Sequence, residues 1–365
     1  MKPLKTIAIL GTAGVPGSYG GFETLAENLV RYHQTHGLPG HLVVYCSSKR
    51  NSARPDTFHG AELRYIALNA NGPASVLYDI VSLMSAVRRG CDTILLFGVS
   101  GAVALPLVRQ LSLARVITHV DGVEWKRGKW SRLARWWLRQ SERWAVRFSN
   151  EVIADNAGIA EYLLDTYGQR WRVIAYGGDH AVQTLPQPYP GKPLPLGYAL
   201  SLCRIEPENH VDLILNAFSG TPEVPLVFVG NWGNSAFGQA LRRQYQGIPH
   251  LRLLDPIYDL GVLRTIRENA SIYIHGHSAG GTNPSLVEIM HFGLPVLAYD
   301  CVFNRYTTDG RALYFKSADD LCARLAGLTA AMRTAVGTEM FRLAQERYTW
   351  ASVGREYFHL IDGDA

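Results

Sequence analysis

The chain has 365 residues, 47% hydrophobic and 18% charged, a balance that excludes a disordered protein and suits two domains of ordinary size. Its apolar runs are short and broken by Gly and Pro, and none reaches the ~20 residues that a membrane-spanning helix needs. The net charge of +5 is concentrated: Glu124 to Arg147 carries eight basic residues against two acids, which leaves the rest close to neutral and excludes a nucleic-acid-coating surface.

The first ten residues, MKPLKTIAIL, lead straight into a β-like run without a long apolar region and cleavage site, so no signal peptide is expected. After KTIAIL (5–10) comes GTAGVPGSYGGFETLAENLV, where Gly11, Gly14, Gly17, Gly20 and Gly21 precede a helical pattern over 21–36. The runs HLVVYC (41–46), ELRYIAL (62–68), DTILLF (92–97), RVITHV (115–120), NEVIAD (150–155) and WRVIAY (171–176) read as strands. Amphipathic stretches at 75–89 and 129–148 lie between them. This alternation predicts parallel strands with crossover helices.

The segment QTLPQPYPGKPLPLG (183–197) holds five prolines, which block both helix and central strand, and reads as a linker. The second half then repeats the first: strand patterns at 198–203, 225–230, 250–255, 271–276 and 295–300 alternate with helical patterns near 209–218, 234–246, 258–269, 284–292 and 318–331. The expectation is an α/β protein of two doubly wound, Rossmann-like domains facing each other across a cleft. They span 1–182 and 198–345, and 346–365 is expected to be a C-terminal helix returning to the first domain. The five cysteines, Cys46, Cys91, Cys203, Cys301 and Cys322, show no CxxC or Cys/His spacing and read as reduced thiols of a cytoplasmic protein.

Ligands of such sheets bind in loops at the carboxyl ends of strands. The glycines of 11–21 let the backbone turn and approach a ligand, and amides at the following helix start attract an anion. That loop reads either as a plain strand-to-helix junction or as the wall of a phosphate- or sugar-binding cleft. Its spacing is neither G-x-G-x-x-G nor a Walker loop. In SIYIHGHSAGGTNPSLVEIM, Gly280 and Gly281 predict a tight turn, Asn283 a helix cap and Pro284 the first helical position. Glu288, one turn inside, is able to reach back over the helix start and accept hydrogen bonds from a vicinal diol such as ribose. The plainer alternative is a surface carboxylate balancing the dipole. Arg204, after YALSLC, suits a diphosphate clamp or a structural ion pair.

At these residues the chain resembles the retaining family-4 glycosyltransferases of GT-B fold. The Gly20-Gly21-Phe22-Glu23 loop, the strand–Arg204 turn and the glycine-loop-to-Glu288 element followed by HFGLPVLAYD carry the likeness. GTAGVPGSYGGFETLAENLV, DGVEWKRGKW and SAGGTNPSLVEIM are similar to a bacterial subgroup that includes rhamnosyltransferases of polysaccharide assembly. The chain departs from the family at three places. Gly280 stands where the first of two glutamates is usual, Asn209 where a lysine is usual, and Asp121 where many members have a histidine. His119 is offset by two from that position and is expected to point the other way on its strand.

The resemblance implies transfer of a sugar, first rhamnose, from a nucleoside diphosphate to a hydroxyl of a lipid-linked or oligosaccharide acceptor, with anomeric configuration retained. The nucleotide-sugar donor is expected in the second domain, its base near Pro207, Val229, Gly230 and Asp255 and its ribose on Glu288. Its diphosphate falls to Arg204, Asn209 and the amides of Gly280, Gly281, Thr282 and Asn283, with Gly20 and Gly21 on the other side. Asp121 is expected to orient the sugar or acceptor, and Asp121, Arg204 and Glu288 form the catalytic set. No metal ligands are seen, no cofactor is required and no nucleic acid is expected as partner. A GT-B sugar-nucleotide epimerase and a non-catalytic nucleotide-sugar-binding protein of an assembly complex are the alternatives. The segment 124–147 also holds five tryptophans. At helical spacing Trp130, Leu133, Trp137, Leu138, Trp144 and Phe148 form one face, opposite Arg132, Arg135, Arg139, Arg143 and Arg147. It reads either as a helix whose aromatic face meets the core or as a patch docking on an anionic membrane, peripherally on the inner face of the cell membrane.

Overall fold

The computed structural model describes residues 5–17, 20–49, 54–120, 122–123, 125, 131–168 and 171–363. The chain forms two compact units, one of residues 1–175 with 350–365 and the other of residues 176–349. The division falls between Ala175 and Tyr176, and the proline-rich stretch 183–197 lies within the second unit.

In the first unit the elements run β1 (Thr6–Leu10), α1 (Gly21–Thr35), β2 (His41–Ser47), β3 (Thr57–Phe58), β4 (Ala61–Ile66), α2 (Ser75–Arg88), β5 (Thr93–Phe97), α3 (Leu105–Leu111), β6 (Arg115–Val120), α4 (Arg132–Phe148), β7 (Glu151–Ala154), α5 (Ala157–Tyr167) and β8 (Arg172–Val173). The sheet order is β3-β4-β2-β1-β5-β6-β7-β8, and among the described residues only the β3–β4 pair is antiparallel. Strands such as TIAIL and TILLF are almost wholly apolar because helices cover both faces of a parallel sheet. Ile9 lies opposite Val44 on one side and Leu95 on the other, all three buried. Under α2, α3 and α4 one core cluster joins Leu83 and Ala86, Leu105 and Val108, and Ala145 to the strands.

In the second unit follow α6 (His180–Gln183), β9 (Ala199–Leu202), α7 (Val211–Ser219), β10 (Leu226–Val229), α8 (Ala236–Tyr245), β11 (Leu251–Leu254), α9 (Leu260–Glu268), β12 (Ile272–His275), α10 (Pro284–Met290), β13 (Val296–Tyr299), α11 (Val302–Thr307), β14 (Leu313–Phe315), α12 (Ala318–Ala326) and α13 (Ala330–Arg347). The strand order is β11-β10-β9-β12-β13-β14, all parallel. The proline-rich stretch runs beside α9: the Gln187 amide donates to the Gly261 carbonyl, and the Thr265 hydroxyl to the Gln187 carbonyl. The last helix, α14 (Trp350–Asp362), packs against α1 in the first unit, where Phe358 stacks on Tyr32 with centroids 5.8 Å apart.

The strand expected over 171–176 shrinks to Arg172–Val173, a sheet edge beyond which the chain leaves the ladder. All five cysteines are free thiols, and burial pushes the Cys46 thiol up to about 11.

Candidate functional site

The second unit has a topological switch point. From β9 the chain winds outward through β10 and β11, then returns to place β12 on the other side of β9 and continues to β13 and β14. Open parallel sheets bind ligands outside the carboxyl ends of strands where the order reverses in this way. Two loops flank that point: residues 203–210 after β9 and 276–283 after β12. Arg204, Asn209, Gly280, Gly281, Thr282 and Asn283 all lie on them, and Glu288 is on the helix that follows.

Hydrogen bonds tie the two loops into one frame. The buried Asn209 amide donates to the Arg204 carbonyl at 2.6 Å, and its side-chain oxygen accepts from His277 Nδ1 at 2.6 Å. Ser278 donates through both its amide and its hydroxyl to the Glu208 carbonyl, each at 3.0 Å. His210, with φ 47°, bonds through Nδ1 to the Gly276 carbonyl and stacks on Tyr299 with centroids 3.7 Å apart. A Cβ on Gly276 would fall 2.1 Å from the Asn209 carbonyl oxygen, so only glycine allows this approach. Asn304 completes the frame by donating to the carbonyls of His277 and Tyr299, each at 2.8 Å. At the position where the resemblance leads one to expect a lysine, Asn209 is thus a clamp between the two loops.

The start of α10 follows its turn chemistry. Asn283 caps it, accepting from the Ser285 amide at 3.0 Å and hydroxyl at 2.8 Å, and Pro284 takes the first position. Gly280 is buried with φ 116°, a conformation that side chains rarely adopt. This backbone suits a glycine and not the glutamate that the resemblance leads one to expect there. Glu288 is not a free surface carboxylate. It pairs with the buried guanidinium of Arg267, and His180 Nε2 lies 3.4 Å from its other oxygen. Burial alone would push its pKa up, but the Arg267 charge and the His180 contact outweigh it and hold the carboxyl below its ordinary value. Neither partner was picked out from the sequence. A signal existed for Arg267, which falls on the apolar stripe of α9 with Leu263 and Ile266. Nothing local marks His180.

Arg204 is partly exposed, with Glu206 4.0 Å away. Of the residues expected around the base, Asp255 instead holds Arg242 by two bonds of 2.6 and 3.2 Å. Gly230 packs against Ile205 and the Cys203 carbonyl.

The first unit has its own switch point between β1 and β5. Its glycine loop is braced by the helix it precedes: the Ala13 amide donates to Glu23 at 2.8 Å and the Gly17 amide to Glu27 at 2.7 Å. Gly20 immediately precedes α1, and its carbonyl accepts from the Thr24 amide. Gly21 begins that helix. Phe22 stacks on Phe97 and meets the edge of His119, at centroid distances of 5.3 and 5.2 Å. His119 is a core residue bonded to the Tyr357 hydroxyl at 3.0 Å, and burial lowers its pKa to about 3. Asp121 lies outside the described residues.

Helix α4 begins at Arg132, capped by Ser131, and Trp130 lies outside the described residues. The aromatic face meets the core only at its end, where Phe148 packs against the cluster, with Leu138 half-buried. The buried side carries Ser141, Glu142, Ala145 and Val146, while Leu133, Trp136, Trp137 and Trp144 are exposed. Small residues let the helix sit close to the sheet, where indoles do not fit. Glu142 accepts from the hydroxyls of Tyr162 and Tyr167 at 2.6 and 2.8 Å.

Residues 190–317 match the family model described as Glycosyl transferases group 1, and residues 4–179 match that of a domain of unknown function, DUF1972. No curated protein matches the chain in sequence. Among solved structures it is similar to sucrose-phosphate synthase from Thermosynechococcus elongatus, with TM-score 0.78 and 16% identity over 98% of each chain. A glycosyltransferase from Rickettsia africae ESF-5 gives TM-score 0.74 and 12% identity over 100% of each chain. Anabaena HepE, solved in complex with UDP and glucose, gives 0.70 and 12% over 98% of this chain and 99% of that one. The fold is GT-B. Together with the group 1 domain in the second unit, it defines the class as the GT-B glycosyltransferases.

Proposed function

We propose that the protein is a retaining, family-4-like glycosyltransferase. It would move a hexose, first rhamnose, from a nucleoside diphosphate to a hydroxyl of a lipid-linked or oligosaccharide acceptor in cell-surface polysaccharide synthesis, on the cytoplasmic side of the membrane. The convergence of Arg204, the 280–283 loop and Glu288 at the switch point of the second unit carries this reading. HepE, a structural neighbour, holds UDP and glucose.

In the proposed mechanism Arg204 and the amides of Gly281, Thr282 and Asn283 take the diphosphate charge as the leaving group departs, in place of a metal ion. Glu288 receives the ribose hydroxyls. The ion pair with Arg267 keeps it ionised and therefore an acceptor, while the looser 3.4 Å contact to His180 yields to the sugar. A donor phosphate oxygen takes the acceptor's proton. Gly20, Gly21 and Asp121 are proposed as the acceptor-side residues on the resemblance alone. The basic segment 124–147 brings the enzyme to an anionic membrane surface.

The test begins with a thermal-shift panel of nucleoside diphosphates, with thymidine diphosphate tried first. Release of free nucleotide is then followed in Arg204→Ala and Glu288→Gln. Losing one donor to developing charge costs about 10²–10³ in turnover, the range expected for Arg204→Ala, whereas Glu288→Gln weakens an acceptor for the ribose hydroxyls and is expected to lower kcat/KM chiefly through donor binding. Near-normal rates in folded variants would remove these roles. Nucleotide binding without transfer or donor hydrolysis in the unmodified protein would leave a binding protein instead.

A further inference from the structure

We infer that the outer face of α2, α3 and α4 together seats on the surface of an anionic lipid bilayer. The inference deepens the membrane contact proposed above and rests on that reading. The three helices form one layer: α2 packs on α3 and α3 on α4, and their inner residues share one core cluster. Each turns outward an apolar pair one helical turn apart. Leu77 and Val81 do so on α2, Leu107 and Leu111 on α3, and Leu133 and Trp137 on α4. Their exposures run from 37% to 75%. Three adjacent helices thus leave six large apolar side chains exposed on one layer, a grouping that a monomer rarely leaves bare.

The charges select the occupant. The only acids in the three helices, Asp79 and Glu142, are both buried. The exposed cations are Arg88 at the end of the α2 stripe and Arg132, Arg139, Arg143 and Arg147 on α4. On α4 the exposed arc places arginines 132, 139 and 143 on one side and Leu133, Trp137 and Trp144 on the other. That order suits a headgroup boundary, with guanidinium groups at lipid phosphates and indoles at the interface. A second copy is a poor occupant, since a two-fold contact sets this face against itself and brings arginine against arginine. No helix among the described residues is long and apolar enough to cross a membrane, so the contact is a seat and not a span.

Flotation of the full chain with vesicles tests this. Vesicles of phosphatidylcholine with phosphatidylglycerol are expected to carry the protein at low salt and release much of it at high salt, whereas pure phosphatidylcholine should carry little. Leu107→Glu with Leu111→Glu lies outside the basic segment and is expected to weaken binding at least tenfold. Leu77→Glu with Val81→Glu gives a second arm should that variant fold poorly. Arg139→Gln and Arg143→Gln should each cost about fivefold. All variants should keep the parent's thermal shift with nucleoside diphosphate, which separates a failure here from a failure of the donor site. Absence of the parent protein from anionic vesicles, equal binding to neutral ones, or wild-type binding by the α2 and α3 variants would overturn the inference. A dimer in solution that Leu111→Glu dissociates would give the face to a second copy.

Discussion

Asn209 occupies a position where a lysine would add charge to the proposed phosphate site, and its surroundings explain why a lysine would not serve. Lysine cannot accept from His277 Nδ1, and its ammonium would lie in a buried frame. Asn209→Ala removes the acceptor of His277 Nδ1 and one of the two donors to the Arg204 carbonyl, which keeps the Glu206 amide, and should cost about 1–3 kcal/mol. Asn209→Lys should also lower the melting temperature without tightening nucleotide binding. A lysine variant that is stable and binds more tightly would show that the clamp is dispensable. The asparagine was visible in the sequence as an exception, but its role was not, because His277 is far along the chain.

His275, buried at the end of β12, is held neutral by burial with a pKa of about 3. Its folded value is below its unfolded one, so the unfolded chain binds the extra proton and stability falls as pH drops below about 6.5. At pH 5 the wild type should have lost about 2 kcal/mol relative to a His275→Phe variant, each referred to its stability at pH 8. Urea unfolding across that range checks it, and parallel pH profiles would contradict it.

At the scale of elements, the α10 start was readable because its causes are local: an asparagine that caps, a proline whose fixed φ suits the first position, and glycines that turn. Gly280→Ala places a side chain at φ 116° and should destabilise the second unit by about 1–3 kcal/mol while weakening nucleotide binding. A variant with parent-like melting and binding would count against a strained loop at this position. Helix α4 shows the opposite case. Its existence was readable from periodicity, but which face is buried was not. Tryptophan and leucine at helical spacing read equally well toward core or solvent, and the buried side falls to Ser141 and Ala145, of which Ala145 shares a cluster with Leu105 and Val108 of α3. Glu142 is tolerated there because Tyr162 and Tyr167, from the neighbouring α5, supply hydroxyls, joined by a hydrogen bond from Trp125 and the charge of Arg139.

At the scale of the whole molecule, α14 closes the first unit after the second has been completed. Tyr357, Phe358, Leu360 and Ile361 are buried, and Tyr357 bonds to His119 across 238 positions of sequence. Tyr357→Ala should cost about 3–5 kcal/mol in urea unfolding, as for other large aromatic deletions, and a loss below 1 kcal/mol would mean that this return is incidental.

The main alternation of strands and helices (though not β3, β14 or α11), the two-part α/β plan and the turn residues beside the switch point could be read from the chain alone, because each depends on residues within a few positions of one another. The partners of Glu288, the clamp at Asn209 and the exposed side of α4 could not. They depend on side chains that only the parallel crossovers bring together, and no spacing in the sequence encodes which buried charge will meet which.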